Sequence, residues 1–146
     1  MGEHVLVPID RSSQSENAFE YVLENIPEPT VTLIHVISPP SAFSYGSETD
    51  LDLDLERYRA EAHRRRDEAD ALLEEYRESA AERGIPADTV VRVGKPAGQI
   101  LEAAENRDVD HIVMGSHGRT GAGRVLFGSV AETVTRRATV PVTIVR

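Results

Sequence analysis

VDHIVMGSHGRTGAGRVLFGSVAETVTRRATVPVTIVR, residues 109 to 146, reads as strand, glycine-rich connection, helix, strand. VDHIVMGS, 109 to 116, is a short apolar run of the kind a buried strand requires. Between 115 and 130 come Gly115, Gly118, Gly121, Gly123 and Gly128, with His117, Arg119 and Arg124 and no carboxylate. Ser129 and Glu132 then have capping-box spacing and predict a helix through about Arg137. TVPVTIVR, 139 to 146, closes the chain as a fifth strand.

The same alternation runs back to the start. EHVLVPI, 3 to 9, is a buried strand ended by a turn at Asp10. Ser13 and Glu16 have capping-box spacing, and Ala18, Phe19, Val22, Leu23 and Ile26 recur on one helical face until Pro27 and Pro29. VTLIHVIS, 31 to 38, is a second strand, and PPSAFSYGSETD, 39 to 50, is a long loop. From about Asp54 to Arg83 the chain reads as a long helix with Leu55, Tyr58, Ala62, Ala69, Leu72, Tyr76 and Ala80 on one stripe. Arg65 interrupts that stripe, which favours an amphipathic helix lying on a sheet over a coiled coil. Gly84 is placed as a C-cap glycine; ADTVVRV, 87 to 93, is a third strand. Pro96 opens a short helix carrying Ala97, Ile100, Leu101 and Ala104.

Five alternations, with the apolar runs of strands one, two and four near-continuous, predict one α/β domain over 1–146, an open, mainly parallel five-stranded sheet of Rossmann-like type with helices on both faces. Ligands of such sheets bind beyond the strand carboxyl ends, where strand order reverses. Asp10, the loop from Ser38 and the glycine stretch after Met114 all lie at carboxyl ends.

The chain has 146 residues, 40% hydrophobic, with no tryptophan or cysteine, so disulfides, thiolate metal sites and cysteine nucleophiles are excluded. No apolar run approaches the roughly 20 residues of a membrane span, and MGEHVLVPID reads as a first strand and not a signal peptide; a cytoplasmic setting is expected. The net charge is −9, and Lys95 is the one lysine among sixteen basic residues. An acidic, lysine-poor surface suits high salt, where self-repulsion is screened; an arginine-rich codon bias is the alternative. The same charge argues against nucleic acid, since Arg64, Arg65 and Arg66 are interleaved with Glu61, Asp67 and Glu68.

A phosphate cradle needs small residues that let backbone N–H groups approach, and a helix N-terminus; the glycine stretch offers both. It is not a Walker loop, because Ser129 follows Gly128 where lysine belongs. It is not a dinucleotide fingerprint, because Leu126 stands at the third glycine position. Neither Ser116 nor Ser129 has the flanking glycines of a nucleophile elbow. On spacing alone, nucleotide binding and a plain connector both remain open.

The remaining spacing, Gly115, two residues, Gly118, nine residues, Gly128-Ser129, resembles the nucleotide-binding signature of universal stress proteins. VLVPIDRSSQSENA, VTLIHVI and the whole stretch from Asp110 to Arg146 are similar to that family's opening, second strand and C-terminal third. The resemblance implies ATP as ligand, with magnesium or manganese accompanying the triphosphate. It implies that Pro8 and Asp10 lie at the nucleotide, Asp10 near the ribose, with the Val36 backbone facing the adenine and Met114 packed against it. Gly115, Gly118, Gly128 and Ser129 would wrap the phosphates, with His117, Arg119 and Val130 beside them. It further implies a stress-response role and a homodimer through the last strand, burying Val140, Val142 and Ile144. A slow ATPase at the same site, and an interaction module holding AMP, another nucleotide or nothing, are the alternatives.

Each residue also has a plainer role. Ser129 suffices as an N-cap, and Asp10 as the shaper of a turn. His117 has no carboxylate close in sequence to make it a general base. His35, His63 and His111 lack the spacing of a metal site, and VPVTIVR is an edge strand with Pro141 and Arg146 as its protection.

Overall fold

The apolar runs at 5–7, 31–34 and 112–114 become strand segments buried from both sides. In the computed structural model, residues 2–39, 51–116 and 128–146 are described, with 51–54 as backbone only. The elements run β1 (His4–Pro8), α1 (Ser13–Asn25), β2 (Thr30–Ile37), α2 (Leu51–Glu82), β3 (Ala87–Val93), α3 (Pro96–Asn106), β4 (His111–Gly115), α4 (Ser129–Arg137) and β5 (Val142–Val145). The sheet order is β3-β2-β1-β4-β5, and every pairing is parallel. Strand order therefore reverses between β1 and β4, which places the crevice above their carboxyl ends.

Alternation within each strand divides the core in two. Val5, Val7, Val31, Leu33 and Val113 face α1 and α2, meeting Phe19, Val22 and Leu73. Leu6, Ile34, Ile112 and Met114 face α3 and α4, meeting Ile100, Ala103, Ala131 and Val134. Truncating one such fully buried side chain, Leu73→Ala for instance, removes about 2–5 kcal/mol of stability.

The long helix departs from the expected stripe. It begins at Leu51, and its 32 residues span about 48 Å, whereas the eight residues of β2 span about 26 Å. Ala69, Leu73 and Ala80 are buried and Tyr76 meets Phe19 edge-on at 4.9 Å, but Leu55 is 49% and Tyr58 40% exposed, and Ala62 is exposed too. Arg65 marks the boundary: its Nη1 donates to the Ser38 carbonyl at 2.8 Å, tying the helix to the end of β2 where the sheet stops. The interruption in the stripe is an anchor at the sheet's edge. At the other end Gly84, at φ +74, closes the helix as expected, with Ile85 N–H donating to the Ala80 carbonyl and Gly84 N–H to that of Ala81, both at 2.9 Å.

Neither expected capping box forms, and each cap lies one residue earlier than the sequence spacing places it. α1 is capped by Ser12, ahead of Ser13, and α4 by Gly128, ahead of Ser129, with no side-chain cap bond. β5 begins at Val142, so Val140 precedes the strand, while Val142 and Ile144 lie within it at the sheet edge, packed partly against the α3–α4 side.

Candidate functional site

A cavity of about 320 Å³ opens above β1 and β4. The end of β1 and its turn bring Pro8, Ile9 and Asp10 to it, β2 brings His35 and Val36, and β4 brings Met114, Gly115 and Ser116. Pro96 and Ile100 enter from α3, and Gly128, Ser129, Val130 and Ala131 from the start of α4. Every expected binding residue within the described part of the chain thus lines one cavity. His117, Gly118 and Arg119 lie outside the described residues.

Asp10 does shape its turn. Its Oδ1 accepts from the Ser12 N–H at 2.7 Å and from the Ser12 hydroxyl, whose oxygen in turn accepts from Ser15 N–H at 3.2 Å. Ser15 Oγ donates to the Asp10 carbonyl at 2.9 Å and accepts from the Asp10 N–H at 3.2 Å. This closed network fixes the β1–α1 corner and satisfies the first donors of α1. Behind it stands Tyr76, whose phenol is pushed above its ordinary value by burial and by the charges of Glu16 and Asp10, against the pull of its hydrogen bond with Ser15. The hydroxyl is accordingly neutral at any physiological pH.

Among the described residues, no side chain caps the start of α4. Its first helical bond runs from Glu132 N–H to the Gly128 carbonyl at 3.0 Å, so the N–H groups of Ser129, Val130 and Ala131 precede the hydrogen-bonded ladder. They sit at the positive end of the helix, on residues that line the cavity. Among the described residues, Asp10 and His35 are the only ionisable side chains lining it. Val36, Pro96, Ile100, Met114 and Val130 give the cavity an apolar lining suited to a flat aromatic base.

Gly115 has a packing role that sequence spacing did not reveal. A Cβ there would lie 2.7 Å from Gln14 Cβ and 2.8 Å from the Gln14 backbone carbon, so only glycine lets β4 pass under the first turn of α1. The sequence reading also missed Ile9, Ser15, Pro96, Ile100, Ser116, Ala131 and His35 as cavity residues; the first six carry no distinctive signal. His35 was set aside for want of metal spacing, and among the described residues no cluster that could hold a metal ion occurs. Nor is any helix among them long and apolar enough to cross a membrane.

Comparison with known proteins matches residues 1–146 to the family model described as the universal stress protein family. Two universal stress proteins of Methanocaldococcus jannaschii are similar: one is 31% identical over 97% of this chain and 81% of its own length, the other 30% identical over 100% and 96%. The solved structure of the second superposes with a TM-score of 0.81 at 29% identity, covering 98% of this chain and 94% of that one. A universal stress protein family member from Arabidopsis thaliana, solved with AMP bound, has a TM-score of 0.66 at 22% identity, covering 98% and 90%. The Archaeoglobus fulgidus protein, solved in complex with dAMP, has a TM-score of 0.62 at 20% identity, covering 99% and 98%.

Proposed function

The chain belongs to the universal stress protein family, and from that premise we propose that it binds an adenine nucleotide, ATP first among them, in the crevice above β1 and β4. The observation that carries this reading is the pairing of an apolar wall, at Val36, Ile100 and Met114, with the open amide donors of α4 across one cavity. The base takes the wall, the ribose lies toward Asp10, and the phosphates take the N–H groups of Ser129, Val130 and Ala131. AMP and dAMP in the two solved relatives named above support the adenine nucleotide class.

Magnesium or manganese would come as part of the nucleotide complex. Among the described residues Asp10 is the one carboxylate lining the cavity, and one of its oxygens is already engaged by Ser12, so they supply no ligand set that would hold the ion by themselves.

We read the protein further as a homodimer built on β5. That strand is the sheet edge, and its Val142 and Ile144 are only partly buried within one chain. Antiparallel pairing across a two-fold axis covers both, with Val140 at the margin. Nucleotide binding would then alter the surface a regulatory partner meets.

The reading is tested by extracting small molecules from freshly purified protein and by thermal unfolding with added ATP, in low and in molar salt, the latter being the setting that the net charge of −9 suits. An adenine nucleotide in the extract, or a midpoint raised by ATP, is expected. Neither effect in either salt would overturn it.

A further inference from the structure

β3 ends the sheet on the side away from β5, and among the described residues it pairs with β2 alone. Its hydrogen bonds to β2 fix which of its backbone groups turn outward. The Pro86 carbonyl accepts from Val31 N–H at 3.1 Å, and Gly94 N–H donates to the Ile37 carbonyl at 3.0 Å. The even positions between them, Asp88, Val90 and Arg92, therefore turn N–H and C=O toward β2, and Ala87, Thr89, Val91 and Val93 turn theirs off the edge of the sheet. Asp88, Thr89 and Val93 are exposed, Val93 to 53%, so the edge can be reached by another strand.

Asp88 and Arg92 lie four residues apart on one face of β3, with Val90 midway between them. A strand without matching charges, laid on this edge, would cover both and pair neither. A second β3 pairs both. In antiparallel addition about a two-fold axis at Val90, Asp88 stands opposite the partner's Arg92 and Arg92 opposite the partner's Asp88. The same register sets outward groups against outward groups: Thr89 exchanges N–H···O=C bonds with the partner's Val91, and Ala87 with the partner's Val93. Positions 88 and 92 then form non-hydrogen-bonded pairs, about 4.5 Å between Cα atoms, where cross-strand side chains lie closest. Arg92 is able to turn to such a partner, because its Nη1 reaches Gln99 Oε1 and Glu102 Oε1 only at 3.5 Å. α2 does not bar the approach: it packs over β2 and β3, so its copy would lie about 10 Å away across the axis, the packing distance of two helices. We propose that β3 is a self-complementary edge, to which a second copy of this chain adds antiparallel, centred on Val90 and held in register by reciprocal Asp88–Arg92 pairs. This surface is distinct from β5, and a chain that pairs at both edges assembles beyond a dimer.

The test is sedimentation equilibrium, over a concentration series, of the wild type, Asp88→Arg, Arg92→Asp and the double exchange Asp88→Arg/Arg92→Asp. Each single change sets like charges opposite one another twice across the axis, and should weaken association at this edge about tenfold or more. The double exchange restores opposite charges with their signs reversed, and should return association to within about threefold of the wild type. Single variants that associate as the wild type does, or a double exchange that associates no better than the singles, would overturn the proposal. A wild type that stops at a dimer indifferent to all three changes overturns it too and leaves the β5 reading standing; a wild type that is monomeric throughout the series overturns both. Amide hydrogen exchange on the wild type adds a check that needs no variant. Thr89 and Val91 N–H should gain protection as concentration rises, while Val90 N–H, already turned to β2, should not change. Rapid exchange at Thr89 and Val91 at every concentration counts against the proposal.

Discussion

Two helices begin at the rim of the same crevice, and they begin in opposite ways. α1 supplies its own acceptors: Ser12 takes the Ser15 N–H, and Asp10 takes the Ser12 N–H. α4 is opened by a glycine that has no side chain to offer. The two starts flank β1 and β4, the strands at which sheet order reverses. The difference teaches where an anion can be received. A helix whose first donors are bound by its own residues is closed to a ligand, whereas one whose cap is withheld keeps donors and dipole free for it.

The sharpest way to break this comparison is to give α4 the cap it lacks. Gly128 has φ −63, which any residue accepts, so Gly128→Asp would place a carboxylate where the phosphates are read to lie. ATP affinity should fall about a hundredfold, roughly 2.7 kcal/mol, while the unliganded protein gains a few tenths to about 1 kcal/mol. Calorimetry and denaturant unfolding on the same sample give both signs; loss of stability together with loss of affinity would undo the contrast. The converse change, Ser12→Ala, strips α1 of its cap and should cost about 1 kcal/mol, a drop of roughly 3 °C in the unfolding midpoint, with ATP affinity held within about threefold. The smallest effect is expected for Ser129→Ala. Its side chain caps nothing, so stability should change by less than about 0.5 kcal/mol in urea unfolding, and a full 1 kcal/mol would show that the hydroxyl does cap the helix.

The three central strands were legible because they are buried on both faces and so are nearly continuous in apolar residues, as at VLVPI and HIVMG. The helix starts were legible only to within a residue. Ser12, Ser13 and Ser15 crowd one corner, and the choice of Ser12 as cap goes with the Asp10 carboxylate that binds its N–H and hydroxyl. At α4 the side-chain rule favours Ser129, yet Gly128 takes the cap position, where its N–H is held by the Ser116 carbonyl at 2.7 Å. Periodicity told which face of α2 is apolar, but not where the sheet beneath it ends; hence Leu55 and Tyr58 lie on the stripe and in solvent. His35 was invisible as a site residue because its partner, Ile9, is 26 positions away and contributes a backbone oxygen, which no sequence pattern marks.

The bond from Gly128 to Ser116 has one further consequence. Ser116 is itself held from beneath, its N–H donating to the Val145 carbonyl at 2.9 Å, so the end of β4 and the cap of α4 are fastened to one another independently of what lies between them. The intervening segment leaves and returns at a fixed gate, and its length is decoupled from the register of the sheet. Doubling it would add only about 0.6 kcal/mol of closure entropy. In terms of design, Ser116 and Gly128 are a pair of fixed splice points, at which a connection of another length would leave the sheet and the helix that hold the crevice in place.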